Sequence, residues 1–422
     1  MLKLCYLRIK KIFVLIVLSA PLILSAQGID ELPALLMTVW ENHPNLKAKR
    51  SDKNAALAGV TVAERQFWPT PSITNDVGPE DRDGRKNATT ARVSYPVFTG
   101  GQLTADLEIA ELRNRISESD LEITGRELVM QFVDLYRTWW FHSVRIESYR
   151  ESLEQMDQLR QMLARRSEAG VSARLDLAQA NLQWQRMQDE NQQAYKQRDQ
   201  ALADMVTFGR QKMNPVFHPL TYWPKTPYSN IDDLTERVLD THPSMNLAGW
   251  QIDLAQAELK KSSASSLPTV SLRLEKQFGS YLGSLAPGSR VYLNSQFSMG
   301  AGLTALPLQE QALARAKTAE LQAYSSSLTL ATQVQKLWHD RSQAWEKIIT
   351  IRDQLKLQKE LADAGIRLFT AGRRSWQDLL GLQRELYQLQ ATESEAQAAY
   401  LAADWRIHLL ANTLPMFSFP SN

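Results

Sequence analysis

Six histidines, one cysteine and an ordinary complement of acids are the side chains from which this 422-residue chain could build a reactive site. Their spacing excludes most chemistry. His43 and His242 each precede a proline, and neither has an Asp, Glu or His cluster beside it to complete a metal centre. A His-Pro pair reads instead as helix punctuation, because proline suits the first helical position and the histidine then serves as a cap or turn contact. There is no glycine-rich phosphate loop, no metal-spaced His/Cys set and no nucleophile motif. The segment PEDRDGRKN is acidic but lacks calcium-loop spacing, so it reads as a solvated turn. No enzyme, cofactor or metal is expected. Two acids keep attention because of their neighbours. Asp176 follows Gly170 by six residues, and Asp378 follows Gly372 by six. An aspartate just inside a helix start is stabilised by the helix dipole.

That pairing of sites is one part of a larger echo. VWENHPNL at Val39 returns as VLDTHPSM at Val238, with His43 and His242 offset by 199 residues. Pro69 and Ser72 return at the same offset as Pro268 and Ser271. The segments AGVSARLDL and AGRRSWQDLL return at an offset of 202. Solenoid repeats run about 20–50 residues, so this is a duplicated half-protein.

Proline marks out the long elements. None of the 17 prolines lies between Pro96 and Pro215, or between Pro307 and Pro415. Proline costs about 3 kcal/mol inside a helix, and both gaps are rich in Ala, Leu, Gln, Glu and Arg. Each gap is broken once, at Gly170 and at Gly372. The expectation is a helix from Gln102 to Glu168, a turn and a return of half the length. A second such unit begins at Pro307 and turns after Ala371. Between helices, alternation marks strands. Val270, Leu272 and Leu274 oppose Thr269, Ser271 and Arg273. Val291, Leu293, Phe297 and Met299 oppose Arg290, Tyr292, Asn294, Gln296 and Ser298. In the first half, Ala91, Val93, Tyr95 and Val97 alternate with Thr90, Arg92 and Ser94. Trp139 and Trp140 fall in mid-helix and are expected to pack between helices.

The chain is 44% hydrophobic and 22% charged with a net charge of +2, which is ordinary for a folded protein and gives no case for nucleic acid. Residues 1–26 combine a basic start, an apolar run from Ile12 to Leu24 and small residues at Ser25 and Ala26, the pattern of a secretory signal peptide. The run is short for a spanning helix, although an uncleaved anchor is the alternative. The sole cysteine, Cys5, lies within it. Nothing later resembles a transmembrane helix, so any membrane contact must come from strands. The expected organisation is N-terminal helices at 27–67, a β-hairpin at 68–98 and a long helical hairpin at 99–212. A Pro-rich linker at 213–229 follows, then helices at 230–267, a β-hairpin at 268–299, a helical hairpin at 300–412 and a tail at 413–422. Two hairpins give four strands. Membrane barrels need at least about 8, so copies must associate: two would supply eight and three twelve.

Taken together, these features resemble the TolC-like outer-membrane exit ducts of Gram-negative bacteria. The resemblance covers essentially the whole mature chain. It rests on the duplication, the His-Pro starts, the segment YPVFTGGQLTADLEIA after a hairpin, and the turns RSEAGVSARLDLAQANL and LFTAGRRSWQDLLGLQREL. It implies a mainly α fold with a β-barrel part: a homotrimer with a 12-stranded transmembrane barrel in outer-membrane lipid and a helical tunnel through the periplasm. The turns would lie at a gated far end, meeting a periplasmic adaptor and, through it, an inner-membrane pump or ABC transporter. By resemblance Asp378 would form an acidic ring at the entrance, the alternative being a simple helix cap. The family's second acid is replaced here by Gly381. Arg374 and Asp176 would tie neighbouring hairpins together. Phe369 stands where a tyrosine could add a hydroxyl. Gly170, Val171, Ser172, Gly372 and Arg373 would touch the adaptor, or serve only as caps and turns. The expected function is a passive exit duct. Absence of a lipidation cysteine favours type I protein secretion. Multidrug or metal efflux is the alternative, and a pore-less periplasmic scaffold is the reading from another class.

Overall fold

A computed structural model describes residues 31–80, 82–217, 228, 230–300 and 303–413. The expected signal peptide, Cys5, most of the Pro-rich linker and the tail beyond Thr413 lie outside these residues. The first half runs α1 (Glu31–Asn42), α2 (Pro44–Arg65), β1 (Thr70–Val77), β2 (Asn87–Phe98), α3 (Gln102–Glu168) and α4 (Arg174–Gly209). The second repeats that order as α5 (Ile231–Thr241), α6 (Pro243–Ala264), β3 (Thr269–Gly279), β4 (Gly288–Gln296), α7 (Ala305–Thr370) and α8 (Trp376–Leu410).

The repeated His-Pro phrase is a helix start written twice. His43 is the N-cap of α2, and its Nδ1 accepts from Asn45 N at 3.2 Å. His242 caps α6 in the same way, accepting from Ser244 N at 3.2 Å. Pro44 and Pro243 follow as first helical residues, where no N–H is needed. The side chains are caps, as expected.

Helix α3 has 67 residues and α7 has 66, each about 100 Å long at 1.5 Å per residue. Their returns, α4 and α8, have 36 and 35. Helix α7 begins at Ala305, two residues before the expected Pro307. Proline is tolerated there because first-turn amides have no intrahelical acceptor. The four long helices pack side by side. Trp139 and Trp140 are buried against Leu36 and Val39 of α1 and Leu401 of α8. A second core joins α3, α4, α7 and α8 near the turns, through Met156, Leu163, Met187, Phe369 and Leu379.

The strands form one antiparallel sheet in the order β1-β2-β3-β4. The halves are therefore joined by β2 pairing with β3, which leaves β1 and β4 as edges. Alternation is kept, so Pro71, Val93, Leu274 and Val291 share one row across the sheet. Register shifts between Pro96 and Phe98, a bulge beside a proline that cannot donate to the ladder. Strand β4 ends at Gln296, so Phe297 and Met299, expected to continue it, lie beyond the paired segment.

Candidate functional site

The two helical turns are built alike from the backbone up. Gly170 has φ +71° and Gly372 φ +72°, a region that favours glycine. Val171 N donates to Arg166 O at 2.8 Å and Gly170 N to Ser167 O at 3.1 Å. Arg373 N donates to Leu368 O at 2.9 Å and Gly372 N to Phe369 O at 3.0 Å. Both are Schellman closures, in which the left-handed residue satisfies the last carbonyls of a helix.

The helix starts that follow differ. Ser375 caps α8: its Oγ accepts from Asp378 N at 3.2 Å and donates to Asp378 Oδ2 at 2.7 Å. This Ser-x-x-Asp arrangement satisfies an orphan amide and holds the carboxylate in place. The Ser375 hydroxyl, first, and the nearby positive charge of Arg374 hold the Asp378 carboxyl below the usual carboxylate range. Asp378 is exposed, while Leu379 and Leu380 beside it are buried. In the first half the cap position is Ala173, which has no side-chain acceptor, so Asp176 lacks that support.

The remaining expected residues separate into two groups. Val171, Arg373 and both glycines are exposed, with Ser172 partly so. Gly381 is exposed, and a Cβ there would meet open space. Arg374 and Asp176 make no ion pair within the chain among the described residues. Phe369 is not at the surface. It is 5% exposed and packs edge-on against Trp376, with ring centroids 5.9 Å apart.

One residue passed over in the sequence links the two turns. Arg166 of α3 donates from Nη1 to Thr370 O at 3.1 Å and from Nε to Ser172 Oγ at 3.2 Å. Nothing in the repeat marks it, because the matching position is Leu368. Ser375 was legible: Ser-x-x-Asp before an apolar run is a capping signature.

At the opposite end, the sheet exposes its apolar face. Ile73 is 77% exposed, Val291 66% and Leu293 65%. The other face carries the polar rows Ser72, Arg92, Glu275, Arg290 and Ser94, Arg273, Tyr292. Arg92 Nε stands 3.5 Å from Glu275 Oε2, which also accepts from the Tyr292 hydroxyl. No described helix is long and apolar enough to cross a membrane.

Comparison with known proteins agrees with this geometry. Residues 35–208 match the family model described as outer membrane efflux protein. A segment of 113 residues is 30% identical to the solvent efflux pump outer membrane protein SrpC of Pseudomonas putida, spanning 25% of this chain and 24% of that one. The chain thus covers about a quarter of that relative's length. The fold matches the outer-membrane channel OprN with a TM-score of 0.78 at 18% identity, covering 90% of this chain and 89% of that one. It matches VceC of Vibrio cholerae with a TM-score of 0.78 at 12% identity, covering 90% and 96%. The fold is that of the TolC-like channel-tunnels. Both the family description and the matched channels are of outer-membrane proteins.

Proposed function

We infer, from a chain whose first half matches the outer membrane efflux protein family and whose fold is that of outer-membrane channels, that three copies assemble into a passive exit duct. The observation that carries this is the sheet. Its apolar rows are exposed, and its edges β1 and β4 have no strand partner among the described residues. An open edge has unsatisfied amides that lipid cannot accept, so β4 of one copy must pair with β1 of the next. Three copies supply twelve strands and a wet lumen. The helices ask for the same cover. Along α7, Leu313, Leu321, Tyr324, Leu328, Leu357 and Leu361 are all more than half exposed. Such a stripe is buried when a neighbouring copy packs against it.

The duct serves a three-part export system. Its turns meet a periplasmic adaptor at Gly170, Val171, Ser172, Gly372 and Arg373, and the adaptor links it to an inner-membrane pump. Three copies of Asp378 form an acidic ring at the entrance, a selectivity device for cations. With Gly381 in place of a second acid, this ring stands alone at its level. Arg374 and Asp176, which make no ion pair among the described residues, pair across neighbouring hairpins and make a weak latch, since exposed ion pairs contribute about 0–1 kcal/mol. Small-molecule efflux is the better supported cargo, because the relative SrpC is a solvent efflux protein. Type I protein secretion, expected from the missing lipidation cysteine, draws no support from that relative.

Chemical cross-linking followed by mass measurement in mild detergent tests the assembly. A trimer is expected. A monodisperse monomer or dimer sinks the proposal.

A further inference from the structure

We propose that Arg92, Arg273 and Arg290 form a belt on the barrel's inner wall that binds multivalent anions carrying phosphate or sulfate groups. The inference rests on the three-copy barrel above, because only closure turns the polar face of the sheet into the wall of a lumen. Register places the three side chains together. Arg92, Glu275 and Arg290 share one row, and Arg273 lies between Ser94 and Tyr292 in the next row on the same face. Neighbouring rows on one face are about 7 Å apart along the strand.

The charges do not cancel. Glu275 is the one acid in these rows, and Arg92 and Tyr292 both engage it. Arg290 donates its hydrogen bonds to uncharged oxygens, Gln277 Oε1 at 3.5 Å and the carbonyl of Ala286, while its charge acts with that of Arg92 on the single Glu275 carboxylate. Arg273 makes no ion pair among the described residues, and its Nε is buried without a hydrogen-bond partner. That Nε–H is one donor without an acceptor, and oxyanions are the ligands the planar fork of a guanidinium fits best. Asp76 is the other acid at the paired strand positions described on this face. Its row, with Ala88 and Gly279, lies four residues from the Arg92 row, about 14 Å away. That exceeds the screening length of about 10 Å at 0.1 M salt, so it leaves the belt's field intact. Three arginines against one glutamate give two net positive charges per copy and six around the lumen.

Lipid phosphate is not the ligand, because the opposite face meets the bilayer. Lys276 lies on that face, in the row of Ile73, Ala91 and Ser289. It supplies an internal control of equal charge on the wrong side of the sheet.

The test uses the full-length trimer in planar bilayers, with inorganic tripolyphosphate added on the barrel side. Tripolyphosphate is expected to block current through the parent channel, and 1 M salt to relieve the block. The Arg273→Gln/Arg290→Gln variant should need about tenfold more tripolyphosphate for equal block. Glu275→Gln should need less than the parent, which keeps the proposal open to test if the double variant fails to assemble. Lys276→Gln should match the parent. Unchanged block in the double variant, or equal weakening by Lys276→Gln, overturns the belt. Parent channels that conduct but ignore tripolyphosphate overturn the belt and leave the duct intact. Trimers that form no channel overturn the duct reading, and the belt with it.

Discussion

The guanidinium of Arg166 lies 5.1 Å from the centroid of the Phe369 ring, two side chains from different helical hairpins. The same arginine donates to the carbonyl of Thr370 and the hydroxyl of Ser172. Within one protomer, the two turns are therefore clasped by a single side chain.

Arg166→Ala should loosen this clasp. It removes a half-buried cation–π contact and charged hydrogen bonds, together about 1–2 kcal/mol. The melting temperature should fall modestly, and the turns should become more open to protease. Arg166→Lys should recover only part, because an ammonium cannot reach both oxygens as a fork. Phe369→Tyr should not add a latch. Its ring is buried beside Trp376, so the new hydroxyl lacks an acceptor and should lower stability. An unchanged melting temperature in Arg166→Ala would remove the clasp from the account.

The acidic entrance can be tested apart from the helix cap. Asp378→Asn leaves shape and the Ser375 cap nearly unchanged while removing charge. Single-channel recordings should show reduced cation preference and weaker block by divalent cations. Ser375→Ala should instead cost about 1 kcal/mol of stability with the charge retained. Arg374→Ala should raise the open population without reversing ion preference. If Asp378→Asn matches the parent in selectivity and block, Asp378 is only part of a capping box.

Stability should depend on pH through His242. Burial, first, and then the charge of Arg126 hold its pKa down at about 4. The unfolded chain takes up this proton near pH 6.5 and the folded chain only near pH 4. The contribution of the neutral imidazole is therefore complete above pH 6.5. It is lost as pH falls toward 4, by about 3 kcal/mol in all. His242→Asn keeps an acceptor for Ser244 N and should flatten the fall of melting temperature between pH 6.5 and 4. His43, His142 and His408 are also held down by burial, so a shallower slope should remain. Identical profiles for parent and variant would reassign the acid sensitivity to those other groups.

Topology is accessible to labelling, since the one cysteine lies within the expected signal peptide. Asp83→Cys and Leu285→Cys, in the turns between strands, should react with a membrane-impermeant thiol reagent on whole cells. Val171→Cys, at a helical turn, should react only after the outer membrane is permeabilised. Reversal of that pattern would invert the molecule.

Much of this architecture was legible without a structure. Proline gaps and helix-forming composition placed both long helices. Gly170 and Gly372 placed their turns, the His-Pro pairs placed two helix starts, and alternation placed four strands. All of these are local preferences of backbone or side chain, and they act on residues a few positions apart. The duplication was legible too, because it is a comparison of the chain with itself. The contacts that decide function are different in kind. Only the tertiary structure pairs β2 with β3, and so sets Arg92 beside Glu275 in one row with Arg290. Only packing buries Phe369 and brings Arg166 to Thr370, 204 residues away. No short-range periodicity encodes such a partner. It is selected when cores of distant helices close, and every charged side chain must then find an acceptor or remain without one.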